Sequence, residues 1–275
     1  MKVQILLATY NSQEFLKQLF DSLKAQTFQQ WELLIKDDGS IDQTLEIIRE
    51  YQFTDKRFKY LGSKSGANGA ALNFMNLLNE AEADYFFFCD HDDVWLPDKI
   101  EKTLELLHSL SENNPDLPVI VHSDLIVVDK DFKIIDLSFW KYSGIKPTLL
   151  KGENISQVFN HVTGCTMAFN KNVKKIAFPY PKSIPMHDWW LVIQTLKYKG
   201  IIKELDEATI LYRQHSSNEV GARNVNGNYF FRKLYGLKKT FSGHFIQMKF
   251  LKQIKGITPL QYYYYKIYYT LIRKF

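Results

Sequence analysis

The sequence has only two cysteines, no internal repeat and no uninterrupted run of the roughly 18 apolar residues that a membrane-spanning helix needs. Two cysteines argue against a small disulfide-stabilised secreted domain. Cys89 and Cys165 lie in apolar stretches without metal-site spacing, so we expect reduced, buried thiols. Met1-Lys2 leads straight into an apolar stretch, without a signal peptide. We therefore expect a cytoplasmic protein that does not cross a membrane.

Acidic residues are absent after Glu219, although the same stretch contains eleven Lys and Arg residues. The whole chain has a net charge of +5, so the part before this tail is net acidic. The tail is also aromatic, with Tyr262–Tyr265 as its densest run. Basic segments with interleaved aromatics fit an anionic membrane surface, and nucleic acids attract the same residue types. Because no nucleic-acid motif accompanies the charge, we predict a membrane contact and no nucleic-acid partner. A helical cap on the rest of the protein is the alternative.

Strand and helix patterns alternate along the first part of the chain. Short apolar runs predict strands at residues 2–8, 31–35, 58–61 and 85–89. Helical spacing of apolar residues follows each of the first three, and Asn11-Ser12-Gln13-Glu14 resembles a helix cap. Such alternation predicts an α/β fold with a mostly parallel sheet and right-handed crossovers. At 275 residues, one main domain with an appendage is expected.

The acidic run Asp90-His91-Asp92-Asp93 follows the predicted strand Tyr85–Cys89 directly. Unpaired charges beside a core cost several kcal/mol, so a cation is expected there. Clustered carboxylates suit Mg²⁺ or Mn²⁺ and the phosphates that such ions bridge. The strand end of a parallel sheet is also where ligands bind in α/β proteins. The alternative is an acidic turn before the helix that begins near Pro97-Asp98.

Five short motifs occur together in a characteristic order. They are Ala8-Thr9-Tyr10-Asn11, Asp37-Asp38-Gly39-Ser40, Asp90-His91-Asp92-Asp93-Val94-Trp95, Met186-His187-Asp188-Trp189-Trp190 and Tyr212-Arg213-Gln214-His215. Over roughly residues 1–225 the chain thereby resembles the inverting family 2 glycosyltransferases, and most of all bacterial rhamnosyltransferases of rhamnose-polysaccharide synthesis. The resemblance implies a GT-A fold for residues 1–225. Residues 226–275 match no motif, and we predict a basic, aromatic, helical C-terminal region there.

The resemblance implies that the first two strand ends hold the nucleoside of a nucleotide-sugar donor. Thr9, Tyr10 and Asp38 are then the candidates for the base and the ribose, because a carboxylate accepts hydrogen bonds from hydroxyls and an aromatic ring stacks on a base. Arg213 or Arg223 is the candidate for the diphosphate, since guanidinium groups bind phosphate well. The alternative for the Asp-Gly-Ser stretch is an ordinary type I turn.

The resemblance also assigns the acidic run. It implies that Asp92 binds a divalent ion, Mn²⁺ or Mg²⁺, and that Asp90 approaches the ribose or the water shell of that ion. His215 matches a histidine that completes the metal shell in many relatives. A lone histidine after a strand is otherwise often structural.

Asp188 is the predicted catalytic base. Inversion in one displacement needs a base that takes the proton from the acceptor hydroxyl, and a carboxylate beside Trp189 and Trp190 is desolvated enough to be basic. Asp188 also fits as an acidic residue in the first turn of a helix, and both roles are compatible. One of the two tryptophans is expected in the core. We expect Asp124 and Gly164 to line the same cleft.

Together these patterns predict a metal-dependent inverting transferase. The best match is transfer of L-rhamnose from dTDP-β-L-rhamnose to a lipid-linked saccharide at the inner face of the cell membrane. UDP-glucose, UDP-galactose or another donor fits the same mechanism, and the stretch 67–74 lacks the basic residue that relatives often carry there. Two other classes stay open from the residues alone. One is a non-catalytic saccharide-binding protein on a transferase fold, and the other is a Mg²⁺-dependent phosphohydrolase.

Overall fold

The computed structural model describes residues 1–63, 69–181, 184–215 and 237–272, with side chains from residue 244 onward in the last range. The strands are β1 Val3–Thr9, β2 Trp31–Asp37, β3 Phe58–Ser63, β4 Tyr85–Cys89, β5 Val94–Trp95, β6 Val119–Val128, β7 Ile134–Asp136, β8 Ala168–Asn170 and β9 Ile201–Arg213. The helices are α1 Leu16–Lys24, α2 Thr44–Thr54, α3 Gly69–Glu80, α4 Lys99–Asn113, α5 Phe139–Tyr142, α6 Glu153–Ser156, α7 Lys171–Ala177, α8 His187–Lys197, α9 Leu237–Gln253 and α10 Pro259–Ile272.

All nine of these strands belong to one sheet, in the order β3-β2-β1-β4-β8-β6-β9-β5, with β7 paired to β6. The first four strands of this order run parallel, as the alternating pattern predicts. The short strand β8 then runs antiparallel to both β4 and β6, and β9 is again parallel to β6. The predicted α/β class with a mostly parallel sheet is therefore confirmed.

Both faces of the sheet are covered by helices, so the central strands are buried throughout. Along β1 the side chains alternate between the two sides, as the pleat requires. Ile5 and Leu7 belong to a cluster with residues of α1, α2 and α4. Leu6 belongs to a second cluster, with residues of α3, α7, α8 and the two C-terminal helices. This double burial explains why the strands are continuous apolar runs rather than alternating patterns.

The start of α1 differs from the sequence-based prediction. The helix begins at Leu16 with Phe15 as its N-cap residue, and no side chain caps it. Asn11 instead adopts a left-handed backbone conformation with φ of 47°. Its backbone N–H donates to Ser40 Oγ at 2.8 Å, and its Oδ1 accepts from the N–H of Ile41 at 3.0 Å. The predicted cap residue therefore joins two loops at the sheet edge.

The C-terminal helices α9 and α10 pack against the body of the protein. Phe250 and Tyr262 are fully buried in the second core cluster. Gln247 Nε2 donates to the carbonyls of Gln157 and Val158, both at 3.0 Å, and Tyr262 OH donates to Gln247 Oε1 at 2.8 Å. In the described part of the chain, no helix has the length and hydropathy needed to span a membrane.

Candidate functional site

The Asp-Asp-Gly-Ser turn after β2 is built around the carboxylate of Asp37. This side chain is 1% exposed. Its oxygens accept from Thr9 Oγ1 at 2.9 Å, from the N–H groups of Gly39 and Ser40 at 2.9 and 2.7 Å, and from Ser40 Oγ at 2.5 Å. Gly39 has φ of 91°, which favours glycine. Asp37 is thus the residue that forms the turn, and the Thr9 hydroxyl is directed into it.

Asp38 and Tyr10 lie on the other side of this turn, toward the sheet edge. The N–H of Asp38 donates to the Thr9 carbonyl at 2.9 Å, which joins the ends of β1 and β2. Its Oδ2 accepts from the N–H of Gly69 at 3.1 Å, at the first residue of α3. Tyr10 is 51% exposed. The two predicted nucleoside contacts therefore lie at the carboxyl ends of neighbouring strands, where α/β proteins bind ligands.

Asp92 and His215 meet although they are far apart in the chain. His215 Nε2 lies 2.9 Å from Asp92 Oδ2. The imidazole stacks on Phe15 with ring centroids 4.5 Å apart, which fixes its orientation. Burial raises the pKa of Asp92, but the hydrogen bond with His215 and the charges of His91 and His215 outweigh it and hold the pKa below its ordinary value. The structure thus brings the two predicted metal ligands into contact.

Arg213 is the last residue of β9 and lies two residues before His215. Its guanidinium lies over the rings of Phe15 and Phe132, with Cζ 4.8 and 4.4 Å from their centroids. The side chain is 3% exposed, and burial lowers the pKa of Arg213 while the carboxylates of Asp92 and Asp93 oppose this shift. Arg213 therefore lies on the acidic side of the site. The other candidate for the diphosphate, Arg223, is outside the described residues.

At the end of β4, Asp90 and Asp93 of the acidic run lie beside Cys165, a thiol that sequence analysis assigned to the core. One ligand atom each of Asp90, Asp93 and Cys165 lie within 4.8 Å of one another. Burial and the negative charges of Asp92 and Asp90 raise the pKa of Asp93 well above its usual range. The fully buried Lys99 has Nζ 4.6 Å from the Trp95 ring centroid, and burial lowers its pKa to about 8. The sequence does indicate a buried Lys99, because helical spacing places this charged residue on the side of α4 that faces the core.

Asp188 occupies the second position of α8 and is 6% exposed. Its Oδ1 accepts from the N–H of Trp189 at 2.6 Å, and the Asn160 side chain and the Gly164 backbone also hydrogen-bond to the carboxylate. Burial raises the pKa of Asp188 to about 7 despite these bonds. A carboxyl group that titrates near neutral pH is suited to accept a proton under physiological conditions.

His187 holds the first turn of α8 in place. Its ring stacks on Phe74 at a centroid distance of 4.1 Å and meets Phe88 edge-on at 4.6 Å. Burial lowers the pKa of His187 to about 3, so the imidazole is neutral. A Cβ on Gly164 would lie 3.1 Å from His187 Nε2 and 3.5 Å from Asp188 Oδ2. The contact with Asp188 is an ordinary one, whereas the contact with His187 is tight, so a larger residue at position 164 would require the His187 ring to move slightly.

A single turn joins the acidic cluster to Asp188. In the 3₁₀ turn Gly164–Thr166, Gly164 lies against Asp188, and the next residue, Cys165, lies against Asp90 and Asp93. The contact of Phe88 with His187 makes a second link, because Phe88 lies two residues before Asp90 on β4. The structure therefore brings Asp188 and the acidic run to one end of the sheet, which no local sequence pattern indicates.

The remaining predicted cleft residues have structural partners. Asp124 lies at an irregularity of β6, where its carboxylate accepts from Ser138 Oγ and from the N–H of Trp140 at 3.1 Å. It thus anchors the start of α5.

Trp190 is the expected core tryptophan, at 5% exposure, and its Nε1 donates to the Ala177 carbonyl at 2.8 Å. Trp189 Nε1 donates to the Ser156 carbonyl at 2.6 Å.

The sequence matches the family model described as "Glycosyl transferase family 2" over residues 4–175, which is more than half of the chain. A dTDP-rhamnosyl transferase, RfbG of Shigella flexneri, is 29% identical over 227 residues, which cover 78% of this chain and 74% of RfbG. The family match contains the first four strands, the acidic run and the 3₁₀ turn beside Asp188.

Solved structures show the same fold. The S. aureus TarS fragment 1–349 in complex with UDP-GlcNAc superposes with a TM-score of 0.59 at 21% identity, covering 91% of this chain and 72% of that fragment. The mannosyltransferase PcManGT from Pyrobaculum calidifontis, in complex with GDP-Man and Mn²⁺, gives a TM-score of 0.56 at 16% identity. The superposition covers 95% of this chain and 66% of PcManGT. These likenesses extend past the family match, and with it they identify the chain as a GT-A glycosyltransferase that belongs to glycosyl transferase family 2.

Proposed function

We propose that this protein is an inverting, metal-dependent transferase that moves L-rhamnose from dTDP-β-L-rhamnose to a lipid-linked saccharide in cell-surface polysaccharide synthesis. The observation that carries the mechanism is the position of Asp188. It is a buried carboxyl group whose pKa lies at about 7, and one 3₁₀ turn connects it to the acidic run. A saccharide-binding protein has no need for a base beside the acceptor, and a phosphohydrolase would turn over phosphate esters with no saccharide acceptor present.

In this proposal Asp188 takes the proton from the acceptor hydroxyl while that oxygen attacks the anomeric carbon opposite the leaving diphosphate. The N–H of Trp189, the side chain of Asn160 and the backbone of Gly164 hold the carboxylate in place for this step. The neutral His187 keeps the first turn of α8 fixed between Phe74 and Phe88. A positioned base of this kind contributes a factor of about 10² to 10⁴ to the rate.

The donor is held at the ends of β1, β2 and β4. Tyr10 and Asp38 are proposed to contact the base and the ribose, and Asp90 the ribose or the water shell of the ion. Thr9 supports these contacts by shaping the turn through its hydrogen bond to Asp37. Arg213 supplies positive charge for the diphosphate, in keeping with its position beside the acidic run.

The residues at the acidic run fit a divalent ion. Asp92 Oδ2 and His215 Nε2 converge at 2.9 Å, and a carboxylate oxygen with an imidazole nitrogen is a donor set that suits Mn²⁺ and also accommodates Mg²⁺. Asp92 and His215 are the proposed ligands. When bound, the ion supplies charge neutralisation for the leaving diphosphate. The Mn²⁺ in the PcManGT complex supports the choice of metal.

The choice of donor and acceptor rests on the relatives. RfbG carries the name of a dTDP-rhamnosyl transferase and matches this chain over most of its length, which favours dTDP-β-L-rhamnose. The complexes of TarS and PcManGT contain UDP-GlcNAc and GDP-Man, so these donors and UDP-glucose are the competitors to test. A lipid-linked acceptor at the inner face of the cell membrane agrees with the basic, aromatic tail.

A donor panel tests the proposal. Thermal unfolding is followed with dTDP-β-L-rhamnose, UDP-glucose, UDP-galactose, UDP-GlcNAc and GDP-mannose, each titrated with Mn²⁺ and with EDTA. A ligand that binds only the folded state raises the melting temperature with its concentration. We expect dTDP-β-L-rhamnose to give the largest shift, and only with Mn²⁺.

Transfer itself is measured with a synthetic lipid-linked disaccharide and NMR of the product. Inversion predicts an α-L-rhamnoside from the β-linked donor. A β-linked product would contradict inversion. If another nucleotide sugar gave a larger shift in melting temperature and was also used in transfer, that sugar would be the donor instead of dTDP-β-L-rhamnose. Full activity in excess EDTA would rule out the proposed metal site.

A further inference from the structure

The last helix, α10, presents an apolar face to solvent. Six residues make up this face, all between 42% and 82% exposed: Leu260, Tyr263, Tyr264, Ile267, Tyr268 and Leu271. Their spacing of three and four residues places them on one side of the helix. We call this set the outer face of α10. In the middle of α9, His244 contacts Tyr263, and the next two residues, Phe245 and Ile246, are also exposed, at 74% and 59%.

The opposite side of α10 accounts for its packing. Tyr262 and Tyr269 are buried, and Tyr269 OH accepts from the N–H of Lys146 at 3.1 Å. Tyr265 and Ile272 also pack against the protein body. The aromatics of the tail therefore divide into two sets. The inner set caps the body, and the side chains of the outer face are exposed to solvent.

The charges of the tail have one sign. After Glu219 the chain has no acidic residue, and Lys249, Lys252 and Lys255 are exposed at the end of α9 and in the connection to α10. Arg273 and Lys274 follow α10 in the sequence. Tyrosines mixed with long aliphatic residues and flanked by lysines match the composition of segments that lie in the interface of an anionic bilayer.

We propose that the outer face of α10 lies in the interfacial region of an anionic lipid bilayer and holds the enzyme at the membrane surface. The helix rests parallel to the bilayer, with Leu260, Ile267 and Leu271 inserted and the tyrosine hydroxyls at the headgroups. This deepens the proposed function, since it names the surface that would bring the enzyme to a lipid-linked acceptor. The contact itself does not depend on which sugar is transferred.

A second copy of this chain is a poorer occupant. Pairing two outer faces would bring the lysines of both copies together, and the tail offers no carboxylate to neutralise them. The anionic headgroups of phosphatidylglycerol or phosphatidylserine supply that neutralisation.

The test uses vesicles and a fluorophore at a single position. The native cysteines are both fully buried, so a thiol label is directed to an introduced one. We expect an NBD label on Ile267→Cys to brighten and shift to the blue with vesicles of phosphatidylcholine containing 30 mol% phosphatidylglycerol (roughly the charge density at which polybasic segments bind). The same label on Phe53→Cys, which is 83% exposed on α2, serves as the control and stays unchanged.

Co-sedimentation then measures the strength of the contact. In Leu260→Gln/Ile267→Gln/Leu271→Gln, the partition coefficient onto these vesicles falls at least about tenfold, because three apolar side chains no longer gain from leaving water. Phe53→Gln/Ile134→Gln/Leu137→Gln removes the same number of exposed apolar residues elsewhere and keeps full binding. Binding also weakens as salt is raised from 50 to 500 mM (about 14 to 4 Å in screening length).

Three results would overturn the proposal. The first is that the label at residue 267 does not respond to vesicles. The second is that both triple variants bind vesicles equally well. The third is that wild type is a dimer in light scattering and that the outer-face substitutions, but not the control substitutions, make it a monomer. Transfer to a soluble acceptor is measured for the same proteins. An inactive wild type that still binds vesicles would count against the proposed reaction alone, whereas an active wild type without vesicle binding would count against the outer face alone.

Discussion

Two buried carboxyl groups at the same end of the sheet have opposite pKa shifts. At the end of β4, Asp92 is 8% exposed, and its pKa is lowered because the partners His215 and His91 outweigh burial. At the start of α8, Asp188 is 6% exposed, and burial raises its pKa to about 7. Burial is nearly equal at the two positions. The difference therefore comes from the two histidines near Asp92, which have no counterpart among the causes of the Asp188 shift.

In the proposed mechanism, this difference in pKa suits the two carboxyl groups to different roles. A carboxylate that stays ionised suits a cation, and a carboxyl that exchanges its proton near neutral pH suits a general base. The turn Gly164–Thr166 and the contact between Phe88 and His187 join the strand end to the helix start. Experiments that remove one group at a time should therefore separate the two roles.

The largest effect is expected from Asp92→Asn. Loss of the ionised oxygen opposite His215 should remove Mn²⁺-dependent stabilisation by the donor and bring transfer below detection, a loss of at least about 10⁴. Melting curves with Mn²⁺ and donor, together with a radiolabelled transfer assay, measure both. Asp116→Asn, at an exposed carboxylate on the loop before β6, is the matched control and should behave as wild type. Normal transfer by Asp92→Asn would end the metal assignment.

Asp188→Asn comes next. It should lower kcat by about 10² to 10⁴ and leave donor affinity and Mn²⁺ affinity within about twofold, because the amide keeps the shape of the side chain and loses only its basicity. Steady-state kinetics and donor titration by calorimetry give the two quantities separately. A variant that loses donor affinity in proportion to kcat would mean that Asp188 supports the fold of the donor site instead.

The pH dependence sharpens the comparison further. If Asp188 must be ionised to accept a proton, kcat should fall about tenfold per pH unit below pH 7 and level off above it. The profile is measured under saturating donor and Mn²⁺. A kcat that is constant between pH 5 and 8 would be inconsistent with this base.

Stability should show the same group with the opposite sign. In the unfolded chain Asp188 ionises near its ordinary pKa of 3.8, whereas in the folded protein it keeps its proton up to about pH 7. Between these values the folded state binds more protons, so raising the pH destabilises wild type, and the loss is complete above pH 7. Asp188→Asn lacks this loss. The stability of Asp188→Asn relative to wild type should therefore increase between pH 4 and pH 7. The difference in the free energy of unfolding should change by a few kcal/mol (an order-of-magnitude figure), and the melting temperature should rise with it.

The smallest effect is expected from Gly164→Ala. The new Cβ would lie 3.1 Å from His187 Nε2, and the His187 ring is confined between Phe74 and Phe88. We expect α8 to shift slightly, which lowers kcat about three- to thirtyfold with little change in donor affinity. Gly152→Ala is the control, because its Cβ would meet Ile155 at an ordinary distance of 3.4 Å. Equal kinetics for both variants would show that His187 has room to adjust.

Local patterns predicted the strands well and the helix cap poorly. The strand Tyr85–Cys89 has the predicted bounds, because a short apolar run between polar stretches marks a buried strand clearly. The cap prediction for Asn11 was wrong, since its side chain bonds to Ile41, thirty residues away. Strand β8 was not predicted at all. It has three residues, and its antiparallel pairing with β4 and β6 depends on contacts distant in sequence.

By itself the sequence determined the α/β class, the residues that end the strands and the sign of the charge in the tail, because each depends on periodicity, order or composition. Only the tertiary structure decided which of these residues meet. It paired Asp92 with His215 across 123 positions and placed Gly164 and Cys165 between the acidic run and Asp188. It also turned Tyr262, Tyr265 and Tyr269 of α10 inward. The pKa values follow from that decision, since burial and nearby charge are properties of position in space and not of order along the chain.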